Sequence, residues 1–342
     1  MTDSHSDPRL LQAGNVTLAD VARVAGVSPI TVSRVLNDPD KVKSTTQEKV
    51  KAAIRQIGYV PNMLAGGLVS SKSKLIIVLV PSIAHRVFVN TIQNLTEQMS
   101  IAGYHVVLSQ TFFDNHSELE QIQTILSRRP DGVVLTTPLI SADARALLRS
   151  RSTPVVEVWD YYDDPIDAVV GFSHIELGKA MAQAMLDKGY RRIGLIWVDD
   201  KRGSLRLAAC EQRLLDAGAE VTSVQRISPP VSVGEGRKAM QQLIDQGNVP
   251  AAIICSNDLI TLGAVSALLA AGIAIPEQVA LIGFGDIDFA AHVYPSLSTF
   301  QVQSADIGKT AALMLLARIE KGVPRGTLKH NMGFQFEDRE TS

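Results

Sequence analysis

Long hydrophobic runs are missing from this chain. The longest nearly apolar stretch, Gly263–Ile275, is too short to span a bilayer, so no membrane partner is expected. Cysteine is scarce: Cys210 and Cys255 alone cannot build a disulfide framework or a zinc site, which fits a reducing compartment. The seven histidines are scattered without metal-ligand spacing. A Gly-Lys-Ser/Thr phosphate loop and a Gly-x-Ser-x-Gly nucleophile turn are both absent. Gly283-x-Gly285 lacks the third glycine of a dinucleotide site. No metal, cofactor or enzymatic role is therefore expected. The opening MTDSHSDPRLLQAG lacks a basic region followed by an apolar stretch, so it is no secretory signal and a cytoplasmic location is expected.

Aromatics are also few, at 5 %, but 46 % of residues are apolar, which excludes a disordered polymer. At 342 residues the chain exceeds what one hydrophobic core fills, so two or three domains are expected. The net charge of −2 hides an asymmetry. Residues 16–74 carry nine Lys/Arg against four Asp/Glu, or +5, whereas residues 75–342 carry −6. A basic module on an acidic body suits a phosphate-bearing partner on one side only.

Local signals divide the basic module into three helices. Thr17 can cap a helix with Asp20 in its first turn, Val21, Val24 and Ala25 recur at helical spacing, and Gly26 ends it. Ser28 is a second cap, and Pro29 suits the first position of a helix running to about Leu36 with Val32, Val35 and Leu36 inward. A third helix is expected from a cap at Ser44 or Thr45, with Glu48 completing a capping box, to Ile57 before Gly58. Two short helices, a tight Gly turn and a closing third helix describe a helix-turn-helix unit, whose second helix enters the DNA major groove.

The residues VTLADVARVAGVSPITVSRVLNDPDKVKSTTQEKVKAAIRQIGYVPNMLAGGL resemble the headpiece of the LacI/GalR family of bacterial transcription regulators, through TLADVA, AGVS, TVSRVLN and GYVPN. The resemblance continues to about residue 336. It implies base reading by Pro29, Ile30 and Arg34, with phosphates held by Thr31 and Ser33. The full DNA-contact set it implies is Thr17, Ser28, Pro29, Ile30, Thr31, Ser33, Arg34, Asn37, Tyr59, Asn62 and Leu68. Arg34 has the donor fork that matches guanine. Pro29 and Ile30 have no side-chain donors, so sequence choice is expected to lean on Arg34 and DNA shape. By the same resemblance Leu68 wedges into the minor groove from a hinge helix formed on DNA. Gly66-Gly67 makes that helix weak on its own.

From Leu75 onward, apolar runs alternate with amphipathic stretches. Leu75–Val80, Tyr104–Ser109, Gly132–Thr136, Val155–Val158, Arg192–Trp197, Ala251–Cys255 and Val279–Gly283 are expected to be buried parallel strands. Helices such as Thr91–Ala102, Glu118–Ser127, Glu176–Lys188, Leu205–Ala217 and Leu259–Ala271 lie between them. The expected fold is thus α/β: a three-helix helix-turn-helix headpiece plus a two-lobed, periplasmic-binding-protein-like body with parallel sheets. The expected organisation is an unstructured tail over 1–15, headpiece 16–60, hinge 61–74 and effector-binding, dimerising body 75–342. By resemblance, lobe one spans 75–171 and 301–329, and lobe two 172–300 and 330–342.

A cleft beyond the strand ends is the expected ligand site. The resemblance implies an effector set of Phe88, Glu157, His174, Arg202, Arg206, Asn257 and Gly285. Arg206 falls where the family has an Arg facing the cleft, and Lys201 and Arg202, expected in the preceding loop, add positive potential. Asn257 is expected to face a sugar while Asp258 caps the next helix. Phe88 supplies a wall. A lone His such as His174 is more often a structural hydrogen-bonder than a ligand, and Glu157 binds hydroxyls or pairs with an Arg. Many sugar-binding relatives carry Asp where Gly285 stands, so Gly285 together with Arg206 favours an anionic ligand. VVEVWD, VGFSH and GFGDIDFA resemble the gluconate-operon repressor branch.

The expected function is a homodimeric repressor on pseudo-palindromic operator DNA, released by a sugar acid, gluconate first. Alternatives are 2-ketogluconate, a phosphorylated sugar acid, a co-repressor sense of response, or a sugar-binding protein or enzyme without DNA activity. No leucine heptad appears at Glu337–Ser342, so no coiled-coil tetramer is expected.

Overall fold

Thr17 opens the first helix with a reciprocal cap: its hydroxyl oxygen accepts from Asp20 N, and the Asp20 carboxylate accepts from Thr17 N and Oγ1. This is α1, Leu18–Ala25, which stops where Gly26 turns left-handed at φ 65°. Ser28 caps α2, Pro29–Asn37, by accepting from Thr31 N at 3.2 Å. The third helix, α3, Ser44–Ile57, differs from expectation. Lys43 occupies its cap position with no side-chain bond, so neither Ser44 nor Thr45 caps it and Glu48 closes no capping box. Gln47 instead ties the preceding turn by donating to Pro39 O and Val42 O. The headpiece core is Val21, Ala22, Val32, Val35, Val50 and Ala53. Ala22 rather than Val24 joins it, and Val24 is 41 % exposed.

The computed structural model describes residues 16–60, 72–81, 86–110, 118–138 and 141–342. The tail 1–15, residues 61–71 of the expected hinge, and therefore Asn62 and Leu68, lie outside the described residues. The chain divides into two compact units, Met1–Ser73 and Lys74–Ser342.

The second unit opens with parallel strands β1 (Leu75–Val80), β2 (His105–Gln110), β3 (Gly132–Leu135), β4 (Val155–Val158) and β5 (Ala168–Gly171). Helices α4 (Val89–Ile101), α5 (Glu118–Ser127) and α6 (Ala142–Ser150) connect them. The chain then crosses into a second sheet of β6 (Arg192–Val198), β7 (Glu220–Ile227), β8 (Ala252–Cys255), β9 (Ala280–Gly285) and β10 (Ser298–Gln301). Its helices are α7 (His174–Asp187), α8 (Lys201–Asp216), α9 (Val233–Asp245) and α10 (Asp258–Ala270). Helix α11 (Ser304–Lys321) returns to the first sheet, where β11 (Lys329–Asn331) pairs with β5, and β12 (Gln335–Glu337) closes the second sheet antiparallel to β10. The strand orders are β11-β5-β4-β3-β1-β2 and β12-β10-β9-β8-β6-β7.

The chain stays with the first sheet through Met332 before its final return to the second. His330 still pairs with Val170, and Met332 N donates to Gly171 O at 2.6 Å, which holds this stretch on the first sheet. One core cluster is shared by both lobes. It joins Val78, Val80, Phe88 and Trp159 to Phe172, Leu195, Trp197 and Phe284.

Candidate functional site

On the headpiece, α2 leaves Ile30 67 % exposed and Arg34 exposed, while Val32 and Val35 are buried. Thr17 and Ser28 are caps, and Ser28 Oγ lies 2.8 Å from Thr31 Oγ1. Asn37 Nδ2 donates to Ser33 O and Oγ, so these two polar residues brace each other one turn apart. Tyr59 is partly buried against the headpiece core. The helix thus presents an exposed face of Pro29, Ile30 and Arg34, the shape of a recognition helix.

In the body, the cleft is built around two arginines one turn apart. Helix α8 begins at Lys201, four residues before the expected start, because Asp200 caps it: Gly203 N donates to Asp200 Oδ1 at 2.6 Å. Trp197 Nε1 locks the turn by donating to Gly203 O at 2.7 Å. Arg202 is therefore not in a loop. It stands in the first helical turn, directly below Arg206 on the same face.

Arg202 reaches from the second lobe to the first. Its Nη2 lies 2.5 Å from Asp160 Oδ2 and donates also to Val158 O at 2.8 Å. Its Nη1 donates to Thr136 O at 2.7 Å, and Nε to the Asp160 carboxylate at 3.2 Å. His174 joins the same network, with Nε2 2.9 Å from Trp159 O and 3.3 Å from Asp160 Oδ1. Its Nδ1 lies 2.9 Å from Arg206 Nη1. A guanidinium can only donate, so Nδ1 accepts and the imidazole proton sits on Nε2. Burial pushes His174 down to about 4, against the upward pull of Asp160, so the ring is neutral. Burial also pushes Asp160 upward, but the charge of Arg202 and the bonds from His174 and Arg202 outweigh it and hold the carboxyl well below its usual range.

Arg206 differs from Arg202 in that, among the described residues, it pairs with no carboxylate. The side chain is buried, burial lowers it to about 10, and its Nε makes no hydrogen bond. Its guanidinium carbon stands 4.9 Å from the Phe284 ring centroid. Aromatic rings enclose the site: Phe88 meets Trp159 edge-on at 5.4 Å, Trp159 meets Phe172 at 5.9 Å, and Phe172 meets Phe284 at 5.8 Å. Trp159 adopts φ 69°, a costly conformation for a bulky residue, and this turn aims its carbonyl at His174 and the next carboxylate at Arg202. Gly171 makes room for the turn, since a Cβ there would sit 2.4 Å from Asp160 N.

The structure brings Phe88, His174, Arg202 and Arg206 together and separates Glu157 from them. Glu157 lies on the strand face opposite Val158 and is consumed by Arg145 Nη1 at 2.9 Å, Tyr162 OH at 2.5 Å and Ile166 N at 2.6 Å. It pairs with an Arg inside lobe one, with no acceptor turned to the cleft. Asn257, not Asp258, takes the helix cap, and Asp258 turns into the lobe. Asn257 caps α10 by accepting from Ile260 N at 3.1 Å, and Asp258 is buried, accepting from Thr299 Oγ1 at 2.6 Å and Ile287 N at 3.1 Å. Gly285 has φ 129°, which L side chains rarely adopt, and a Cβ there would lie 3.4 Å from Asp258 Oδ2. Glycine at 285 is thus a backbone requirement as well as the loss of a charge. The neighbouring Asp286 is engaged by Gln301 at 2.6 Å and Arg339 at 2.7 Å.

Burial pushes the Asp258 carboxyl up to about 6. Between about pH 4 and 6 the folded state holds a proton there that the unfolded state releases, so this group stabilises the protein as pH falls through that window. His174 acts in the opposite sense between about pH 6.5 and 4, because the unfolded ring takes a proton that the buried ring refuses. Asp258→Asn removes the compensating group. Unfolding free energies from urea titrations should fall more steeply for this variant than for the parent between pH 6 and 4.5, with a divergence of about 1.5 kcal/mol. Parallel profiles would contradict the buried-acid assignment.

Among the described residues no helix is long and apolar enough to cross a membrane, and no His, Cys, Asp and Glu cluster is able to hold a metal. Cys210 and Cys255 are buried, with Cys255 pushed up to about 12 by desolvation, which makes both poor nucleophiles.

A DNA-reading headpiece and a two-lobed body with a basic, aromatic cleft define a ligand-controlled transcription regulator. Residues 17–62 match the model of bacterial regulatory proteins of the lacI family, and residues 182–342 match a periplasmic binding protein-like domain. The chain belongs to the LacI family of transcription regulators. It is 32 % identical to the HTH-type transcriptional regulator GntR of Pseudomonas aeruginosa over 345 residues, covering all of both chains. It is 29 % identical to the HTH-type transcriptional regulator IdnR of Escherichia coli, over 89 % of this chain and 92 % of that one. A LacI family regulator from Silicibacter pomeroyi superposes with a TM-score of 0.89 at 32 % identity, over 95 % and 99 % of the two chains. The lac repressor dimer bound to operator superposes with 0.79 at 26 %, over 96 % and 99 %. The protein is accordingly a DNA-binding repressor with a small-molecule sensor, not an enzyme, and its class works as dimers on operator DNA.

Proposed function

We propose that the sensor takes a sugar acid, gluconate first and 2-ketogluconate second, between the two lobes and thereby sets operator affinity. The observation that carries this reading is Arg206: a buried guanidinium, one N–H without an acceptor, beside a carboxylate already committed to Arg202. A buried cation left short of acceptors is satisfied best by an incoming anion. Gly285 supports it, because the diol-binding carboxylate expected of neutral-sugar sensors is replaced where the backbone demands glycine. Phe88 and Phe284 supply apolar walls for the carbon chain. The motifs VVEVWD, VGFSH and GFGDIDFA point to the same branch. Calorimetric titration of the full chain with gluconate, 2-ketogluconate, 6-phosphogluconate and glucose tests the reading. Gluconate or 2-ketogluconate should bind tightest; tight binding of glucose with no response to the acids overturns it.

The output is DNA. Two headpieces of a dimer, acting in the cytoplasm, read the half-sites of a pseudo-palindromic operator, with Arg34 on a guanine edge and Pro29 and Ile30 against apolar base surface. Thr31 and Ser33 hold phosphates, Thr17, Ser28, Asn37, Tyr59 and Asn62 complete the DNA contacts, and Leu68 wedges the minor groove. Arg34→Ala should cost about 1–3 kcal/mol of operator affinity and relax base preference at one position per half-site. Fluorescence-anisotropy titration reads this, and unchanged specificity would remove Arg34 from that role. Effector and operator affinities are then linked reciprocally.

A further inference from the structure

Arg202 belongs to the second lobe, yet each of its three nitrogens donates to the first. Two of its acceptors, Thr136 O and Val158 O, lie at the carboxyl ends of β3 and β4. The third, Asp160, is buried and made reachable by the strained turn at Trp159. His174, also from the second lobe, adds Nε2 to Trp159 O, and Arg206 fixes the tautomer that allows it. A side chain with every nitrogen so engaged has little left for a ligand.

We propose that Arg202 and Asp160 form a latch that holds the two lobes together in the ligand-free protein, making Arg202 a positioning residue and leaving Arg206 as the guanidinium a ligand meets. The latch depends on the two-lobed body and on no particular effector. Asp160 acts as a built-in counter-anion: it neutralises the first of two cations stacked one helical turn apart and keeps the cleft near its closed geometry. A ligand that binds the closed form then finds that form already populated, and its apparent affinity is divided by no large opening term. Arg is required at 202, because a lysine ammonium cannot serve three acceptors set out in a fork.

Double electron–electron resonance on the ligand-free full chain tests this. Exposed Ala146 on α6 and Gln242 on α9 are replaced by cysteine and spin-labelled, while buried Cys210 and Cys255 stay unlabelled. With the labelled chain diluted into an excess of unlabelled chain, so that a dimer carries one labelled protomer, the parent should give one narrow distance distribution, and Arg202→Gln and Asp160→Asn should each give a broader one with a longer mean. In the same variants gluconate affinity should drop by about tenfold or more although Arg206 is intact. Should Arg202→Gln fail to fold by circular dichroism, Arg202→Lys, which keeps the charge and loses the fork, carries the same measurement. Distances unchanged in the variants, or a parent that is already broad, overturn the latch. A parent that binds no sugar acid but shows the distance shift strikes only the effector reading.

Discussion

Arg206→Met should abolish effector binding while leaving the protein at least as resistant to heat. The two halves of this expectation have the same origin. Arg206 is desolvated, and among the described residues its guanidinium has no carboxylate partner and its Nε no acceptor. Keeping such a group in the ligand-free fold costs stability, and a thioether of similar length removes that cost. For an anionic ligand the same group is the main source of attraction, and losing a desolvated charge–charge contact typically costs about 2–5 kcal/mol or more, roughly thirtyfold to several-thousandfold in affinity. The substitution also frees His174 Nδ1, which then has to find water or change tautomer, so the gain in stability should stay small. Calorimetric titration and a thermal melt of the same preparation check both halves. A variant that melts much earlier yet binds the sugar acid normally would place Arg206 in the scaffold instead.

Gly178→Ala should do comparable harm from outside the cleft. Gly178 lies in α7 where it crosses α8, and a Cβ there would sit 2.2 Å from Arg206 O and 2.9 Å from its carbonyl carbon. These are backbone atoms, so no side chain can swing aside; the helices must part. Overpacking of this kind costs about 1–3 kcal/mol and occasionally more. Because the displaced backbone is that of Arg206 itself, effector affinity should fall together with stability. Gly234→Ala is the control. It is also helical, but its added methyl meets only Ser232 Oγ at 3.6 Å, so it should be neutral or stabilising by up to about 1 kcal/mol. Equal behaviour of the two variants would remove the helix crossing as the cause.

What could be read from the sequence was whatever chemistry stays local. The caps at Thr17 and Ser28 act over three residues, and both appear where expected. Apolar runs of four to six residues announce the central strands, because both faces of those strands are covered. Interactions between distant segments were not legible. Asp160 and Arg202 are 42 residues apart, and nothing in WDYYDD says which carboxylate meets which cation. Asp200 caps α8 ahead of the apolar repeat that marks the helix in the sequence, so the repeat alone leaves Arg202 in a loop and conceals its alignment with Arg206. Asn257 and Asp258 are both good caps by type. Only the buried Thr299 hydroxyl, 41 residues downstream, decides that Asp258 turns inward and Asn257 takes the helix end. Edge strands such as β7, with its polar Glu220-Val-Thr-Ser-Val-Gln-Arg pattern, carry too little apolar signal to stand out.

The chain passes between the two sheets three times, after β5, after β10 and after β11. This inverts the order in which the lobes can mature during synthesis. The first lobe begins at Leu75, but its packing helix α11 and its edge strand β11 follow the whole run of β6 to β10. The second lobe has five of its six strands within the unbroken stretch from Arg192 to Gln301, and it can assemble most of its sheet while its elder neighbour is still unfinished. The lobe begun first is completed second, and the sheet whose strand ends meet Arg202 waits for α11 and β11, made only after its neighbour's five strands.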